Sequence, residues 1–181
     1  MTISYRLVRS ARKTLSIQIT PVGEVIVRCP KRCPQREVEA FVKSKQSWIE
    51  KHLTAIAAAP QPIPLTAEQL QALAKDAAQV LPERVARFAA LAGVSYGRIT
   101  IRSQHTRWGS CSAKGNLNFN CLLMLTPPEV RDYVVIHELC HRKELNHSAS
   151  FWAEVERMCP DYRIHRKWLK DNGASIIGRL P

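Results

Sequence analysis

The chain has 181 residues, with 27 Lys and Arg against 15 Asp and Glu, for a formal net charge of +12. That length fits one domain, or one domain with a small appendage, and buries enough core that neither disulfides nor a metal is needed merely to hold it together. An apolar fraction of 45% argues against general disorder, and no apolar run approaches the roughly 18–20 residues of a bilayer span.

The charged, alternating start is unlike a secretory signal, so a cytoplasmic location without membrane association is expected. Six cysteines fit that location as reduced thiols. No C-x-x-C pair occurs, and Cys29 and Cys33 stand one residue too far apart for a zinc knuckle. Cys29, Cys33, Cys121 and Cys159 therefore read as ordinary thiols. The basic excess is dense before residue 46 and again in "YRIHRKWLK". It favours a polyanion, such as nucleic acid or a nucleotide, unless it is simply a solubilising surface.

In chain order, "TLSIQIT" sets Leu15, Ile17 and Ile19 on one face, and "EVIVRCP" follows the turn "PVG". The pattern predicts a β-hairpin, with "ISYRLV" as a third strand. From Gln35 to about Ala59 the apolar positions turn helical, through Val38, Phe41, Val42, Trp48, Ile49 and Leu53. "PQPIPL" breaks that helix and reads as a stiff linker. The organisation expected is an N-terminal strand-and-helix subdomain over residues 1–60 and a core over 66–181.

Thr66 and Gln69 form a capping-box pattern opening a helix to about Ala92, bent or restarted at Pro82. "GRITIRS" reads as a strand, and "RWGSCSAKGNLNFNCLLML" as a loop or turn leading into another. Thr126, Pro127 and Glu129 then mark a helix start, with threonine as cap, proline at the first helical position and glutamate bonding back. Val130, Val134, His137 and His141 continue from there at helical spacing, which places both histidines on the inward stripe.

Histidines four apart on a helix project side by side, one turn apart, where both imidazoles reach one cation. A catalytic zinc takes three protein ligands and keeps one position for water. Glu138 flanks the pair, where a carboxylate can take a proton from the attacking water. A continuous helix would rotate His147 away, so the chain must turn first, and Asn146 or its neighbours suit that turn. Ser148 then caps the helix "ASFWAEVERM" and holds His147 at its entrance. Glu154, on that helix, is the competing third ligand; His147 is preferred because catalytic zinc accepts three-histidine sets. Cys140 reads as core packing, and the isolated His52, His105 and His165 as surface or core groups.

"TRWGSCSAKGNLNFNCLLMLTP", "DYVVIHELCHRKELNHSASFW" and "DYRIHRKWLKDNG", with the amino-terminal "RCPKRCPQREVEAFVKSKQSWIEKHL", resemble the YgjP-like metallopeptidase family, related to the Wss1-like and SprT-like metalloproteases. The resemblance covers nearly the whole chain. It implies zinc held by His137, His141 and His147, and Glu138 as general base. It also implies an α+β fold whose zincin-like core sets the active-site helix beside a small mixed or antiparallel sheet. The histidine separation equals that of the metzincins, but those carry glycine where this chain has Glu144, and no methionine-turn signature is evident.

In "RWGSCSAKGNLNFN", Gly109 and Gly115 permit tight backbone, and the strand that follows is expected to offer an edge to an extended peptide. Arg107 is the candidate substrate-binding residue, stabilising a developing oxyanion or anchoring a substrate anion. Trp108 reads as core packing, Cys111 as a thiol near the cleft, and Tyr162 as a candidate oxyanion donor. The expected function is a zinc-dependent peptidase acting on peptide or protein. The alternatives are a metal-dependent nucleotide or phosphoanhydride hydrolase, or a DNA-associated protease recruited by its basic surface.

Overall fold

The computed structural model describes residues 3–20, 22–58 and 62–181. The chain divides into two compact units, Met1–Gln61 and Pro62–Pro181.

In the first unit, β1 (Arg6–Ser10), β2 (Ser16–Ile19) and β3 (Val25–Pro30) form a sheet in the order β1-β3-β2. The expected hairpin is β2–β3, with Ser16 opposite Arg28 and Ile19 opposite Val25. Gly23, at φ 83°, donates its N–H to Thr20 O to close the turn, while Pro21 of that turn lies outside the described residues. The third strand is present but pairs parallel with β3, from Arg6 opposite Ile26 to Ser10 opposite Pro30. Val25, Val27 and Cys29 alternate inward and pack with Val38, Val42 and Ile49. Those last three come from two helices, α1 (Gln35–Ser44) and α2 (Gln46–Ala58), where one continuous helix was expected. Lys45 leaves helical geometry at φ −108°, ψ 9°, and the change of phase leaves Trp48 44% exposed instead of in the stripe. Ala59 at the end of that expected helix, and Pro60 and Gln61 of the expected linker, lie outside the described residues.

In the second unit, Thr66 and Gln69 form the capping box: the Gln69 N–H donates to Thr66 Oγ1 and the Thr66 N–H to Gln69 Oε1. The helix they open, α3 (Ala67–Ala92), runs unbroken through Pro82 and stops at Gly93 in the left-handed region. Its buried face carries Ala77, Leu81, Val85, Phe88 and Ala89 against the unit's core.

β4 (Ile99–Arg102), β5 (Gly109–Cys111) and β6 (Leu117–Asn120) make a mixed sheet in the order β4-β6-β5, with β4 parallel and β5 antiparallel to β6. The strand expected to offer an edge, β6, is thus the central one, and the edges are β4 and β5. "CLLML" is a 3₁₀ turn, Cys121–Leu125, and not a continuation of the strand. Asn120 ends the ladder, because its side-chain oxygen accepts the Leu122 N–H.

The next helix, α4 (Pro128–Cys140), begins one residue later than expected, with Pro127 at the cap and Pro128 at the first position. Thr126 does not cap it; its hydroxyl donates to Leu123 O, closing the 3₁₀ turn. α5 (Ala149–Met158) and α6 (Tyr162–Ile177) complete the unit, and both pack on α4. The fold is α+β, with the histidine-bearing helix beside β5 of a small mixed sheet. No helix among the described residues is long and apolar enough to cross a membrane.

Candidate metal centre and active site

The helix α4 ends where the chemistry begins. His137 lies in its last turn and His141 is its C-cap residue, so the chain leaves the helix immediately after the second histidine. The turn that follows brings His147 back: Asn146 Oδ1 accepts the Ser148 N–H, and Ser148 Oγ accepts the Phe151 N–H to cap α5. One ligand-capable nitrogen from each of His137, His141 and His147 then lies within 4.8 Å of the others. The Nε2 atoms of His137 and His147 are 3.0 Å apart.

This donor set fits a zinc ion. A tetrahedral site with arms of about 2.0–2.1 Å has edges of about 3.3–3.4 Å; the His137–His147 pair is close to that length, and the whole set lies within 4.8 Å. His141 Nδ1 donates to Glu144 O at 3.0 Å, which fixes its tautomer and leaves Nε2 as the free lone pair. His137 has no such second partner, since its Nδ1 is buried without a hydrogen bond among the described residues. Packing holds that ring instead. Phe151, fully buried on α5, places its ring centroid 4.9, 4.5 and 4.7 Å from those of His137, His141 and His147. Trp152 stacks on His147 at 5.7 Å and on Tyr162 at 5.3 Å, with the Arg166 guanidinium 4.6 Å from its ring. Burial, then repulsion from the other two histidines and Arg166, pushes His137 down to about 3, so it is a neutral imidazole at physiological pH. Burial first, then His141 and Arg166, also lowers His147. Neutral imidazole is the form a metal requires.

Glu138 is 6% exposed and reaches the floor of the cleft. It fits there because β5 carries glycine at the crossing: a Cβ on Gly109 would stand 2.7 Å from both Glu138 Cγ and Oε1. Burial pushes the carboxyl up to about 8, opposed by the positive charge of Arg107 and by a hydrogen bond from the Cys111 backbone amide. The three histidines, Glu138, Gly109 and the exposed Arg107 all line one open cleft of about 310 Å³.

Arg142, next to His141, ties the end of α4 to the β5–β6 turn. Its guanidinium donates to Ser95 O at 3.0 Å and Ala113 O at 3.1 Å. It lies against Gly115, where a Cβ would come within 2.9 Å of it and φ is +81°.

A protein-family model for the YgjP-like metallopeptidase domain matches residues 13–71 and 65–172. The chain belongs to that family. It is thus a hydrolase of the metal-dependent peptidase class, and its substrate class is peptide or protein. Two solved metallopeptidase zymogens are similar over half of the chain. Abylysin of Pyrococcus abyssi is 23% identical, covering 51% of this chain and 94% of its own, with a TM-score of 0.46. Jannalysin of Methanocaldococcus jannaschii is 20% identical, covering 50% and 94%, with a TM-score of 0.41. No curated protein matches the chain.

The sequence-selected residues His137, Glu138, His141, His147 and Arg107 are brought to one cleft. Glu154 is not: its carboxylate is bound by Lys143 Nζ at 2.6 Å and by Arg157 at 2.7 Å. Tyr162 is buried in the stack with Trp152 and does not line the cleft. Cys140 is buried in the core, and Trp108 packs against that core as expected. Sequence reasoning missed Gly109 as the seat of Glu138, and Phe151 and Trp152 as supports of the histidines. The pair "FW", four residues after His147, was the only available signal for the supports.

Proposed function

We propose that the chain is a zinc-dependent peptidase in which His137, His141 and His147 hold the metal and Glu138 is the general base. One observation carries this reading: three imidazole nitrogens converge beside a buried carboxylate in a single open cleft. When bound, zinc supplies the Lewis acidity that lets water attack near neutral pH. Glu138 takes the proton of the attacking water and hands it to the leaving amine, and the burial that raises its carboxyl makes the carboxylate a stronger proton acceptor. The Cys111 amide and the missing side chain at Gly109 keep the carboxylate in place. Arg107, at the exposed rim, binds the substrate through a carbonyl or carboxylate oxygen.

The test is zinc content and peptide cleavage measured on the same preparations. Glu138→Gln is expected to retain zinc and lose at least a hundredfold in kcat, whereas His147→Ala is expected to lose zinc affinity. Full activity of Glu138→Gln would overturn the assignment of the base. Turnover of nucleoside triphosphates but not peptides would favour the phosphoanhydride reading.

A further inference from the structure

Arg107 reaches the cleft from a segment between β4 and β5 that is neither helix nor strand. Its guanidinium donates no hydrogen bond among the described residues, although Glu138 feels its charge. Its neighbours His105 and Thr106 are exposed, as it is itself, so packing does not hold this stretch. One side chain from the central strand does. Asn120, fully buried at the end of β6, donates from Nδ2 to Gln104 O at 2.7 Å and to Arg107 O at 3.1 Å. Its backbone N–H donates to Trp108 O at 2.8 Å. Those three carbonyls accept from no other group among the described residues. Asn120 Oδ1 meanwhile accepts the Leu122 N–H at 3.1 Å, so both ends of the amide are engaged.

We propose that Asn120 is a positioning residue for substrate binding: it clasps the Gln104–Arg107 loop and so aims Arg107 into the cleft. The inference rests on the reading of Arg107 as the substrate-binding residue of a peptidase. Asn120 does not line the cleft and has no exposed surface, so it acts only through the backbone it holds. Capping the 3₁₀ turn needs no more than a side-chain oxygen, which serine or aspartate would supply. The two donated bonds need a primary amide of this length, and glutamine would add a methylene to a site with no spare room. Without those donors, the carbonyls of Gln104 and Arg107 must turn to water for partners, and the exposed loop moves with them. Arg107 then loses the fixed backbone from which its free guanidinium meets the substrate.

The test uses the full-length zinc-loaded protein and a quenched-fluorescent peptide of mixed sequence. Asn120→Ser and Asn120→Asp are made alone and together with Arg107→Ala; both keep an acceptor for Leu122 and remove the two donated bonds at neutral pH. Each single Asn120 variant is expected to raise KM roughly 10–100-fold, with kcat little changed and zinc content unaltered. Arg107→Ala should raise KM by a similar factor. Adding either Asn120 substitution to it should raise KM no further, because the two residues act through one contact. Thermal melting identifies the folded variants, and Asn120→Ser carries the test if the buried carboxylate prevents folding. The positioning role is overturned by KM factors that multiply in the double variants, by a loss in kcat or zinc in place of KM, or by an unaltered KM. Failure of both Asn120 variants to fold overturns it too, since the residue is then a requirement of the fold. An unaltered KM in Arg107→Ala instead overturns Arg107 as the substrate-binding residue, and no cleavage by the zinc-loaded parent overturns the peptidase reading.

Discussion

Gly109→Ala adds one methyl group at the crossing of β5 and α4. The new carbon would stand 2.7 Å from Glu138 Cγ and Oε1 and 3.0 Å from Cδ. Carbon contacts settle at about 3.5–4.0 Å, so roughly 1 Å of separation must be recovered. Glu138 is 6% exposed and cannot swing freely into solvent, and β5 is held to β6 by its ladder. The carboxylate therefore moves within the cleft, away from where the proposed base would meet the attacking water. A misplacement of about 1 Å costs on the order of a hundredfold in rate. The expected result is a kcat reduced about 10²-fold with KM little changed, zinc content unaltered, and stability lower by about 1–3 kcal/mol from overpacking. Peptide cleavage kinetics, zinc analysis and thermal melting together read these three quantities. Wild-type kcat in folded, zinc-replete Gly109→Ala would refute the argument that the glycine seats the base.

Trp152→Ala removes the stacking surface of His147 without touching a proposed ligand nitrogen. Zinc affinity measured against a competing chelator should fall about 10–100-fold, by the measure of other supports behind metal ligands, and unaltered affinity would show that Phe151 alone holds the ring. For Glu154→Gln, stability is compared with the parent across pH. Hydrogen bonds from Arg157 and then Lys143 hold Glu154 down at about 2. Its contribution is thus fully present above the ordinary carboxylate range near pH 4.5 and is lost as pH falls towards 2. The parent should be more stable than the variant by about 1 kcal/mol at pH 6, given its solvent-facing partners. That difference should shrink below pH 4.5, and a difference independent of pH would refute the ion-pair account.

What could be read along the chain was what local spacing determines. His137 and His141 share a face because residues four apart on a helix do, and Ser148 announces α5 through its own cap. Thr66 and Gln69 satisfy each other within four residues. What escaped depends on partners distant in sequence. Thr126 has the chemistry of a cap, but a nearer acceptor, Leu123 O, takes its hydroxyl. The parallel pairings of β1 with β3 and β4 with β6 involve strands separated by another strand, and apolar alternation carries no direction. Glu154 looked like a possible ligand until Lys143 and Arg157 were seen to hold it. Gly109 is one glycine among seven until Glu138 arrives opposite it.

The contact of Arg142 with Gly115 constrains how this cleft can vary. One guanidinium spans from the residue after His141 to the carbonyls of Ser95 and Ala113, and so sets the spacing between the histidine-bearing helix and the strand along its rim. Any side chain at position 115 would need both a left-handed backbone and the volume that Arg142 fills. The two positions therefore depend on each other: a shorter residue at 142 frees the hairpin to drift, and a larger one at 115 expels the clamp. Grafting a different β5–β6 hairpin onto this scaffold to alter its substrate range would succeed only if that pair travels with it.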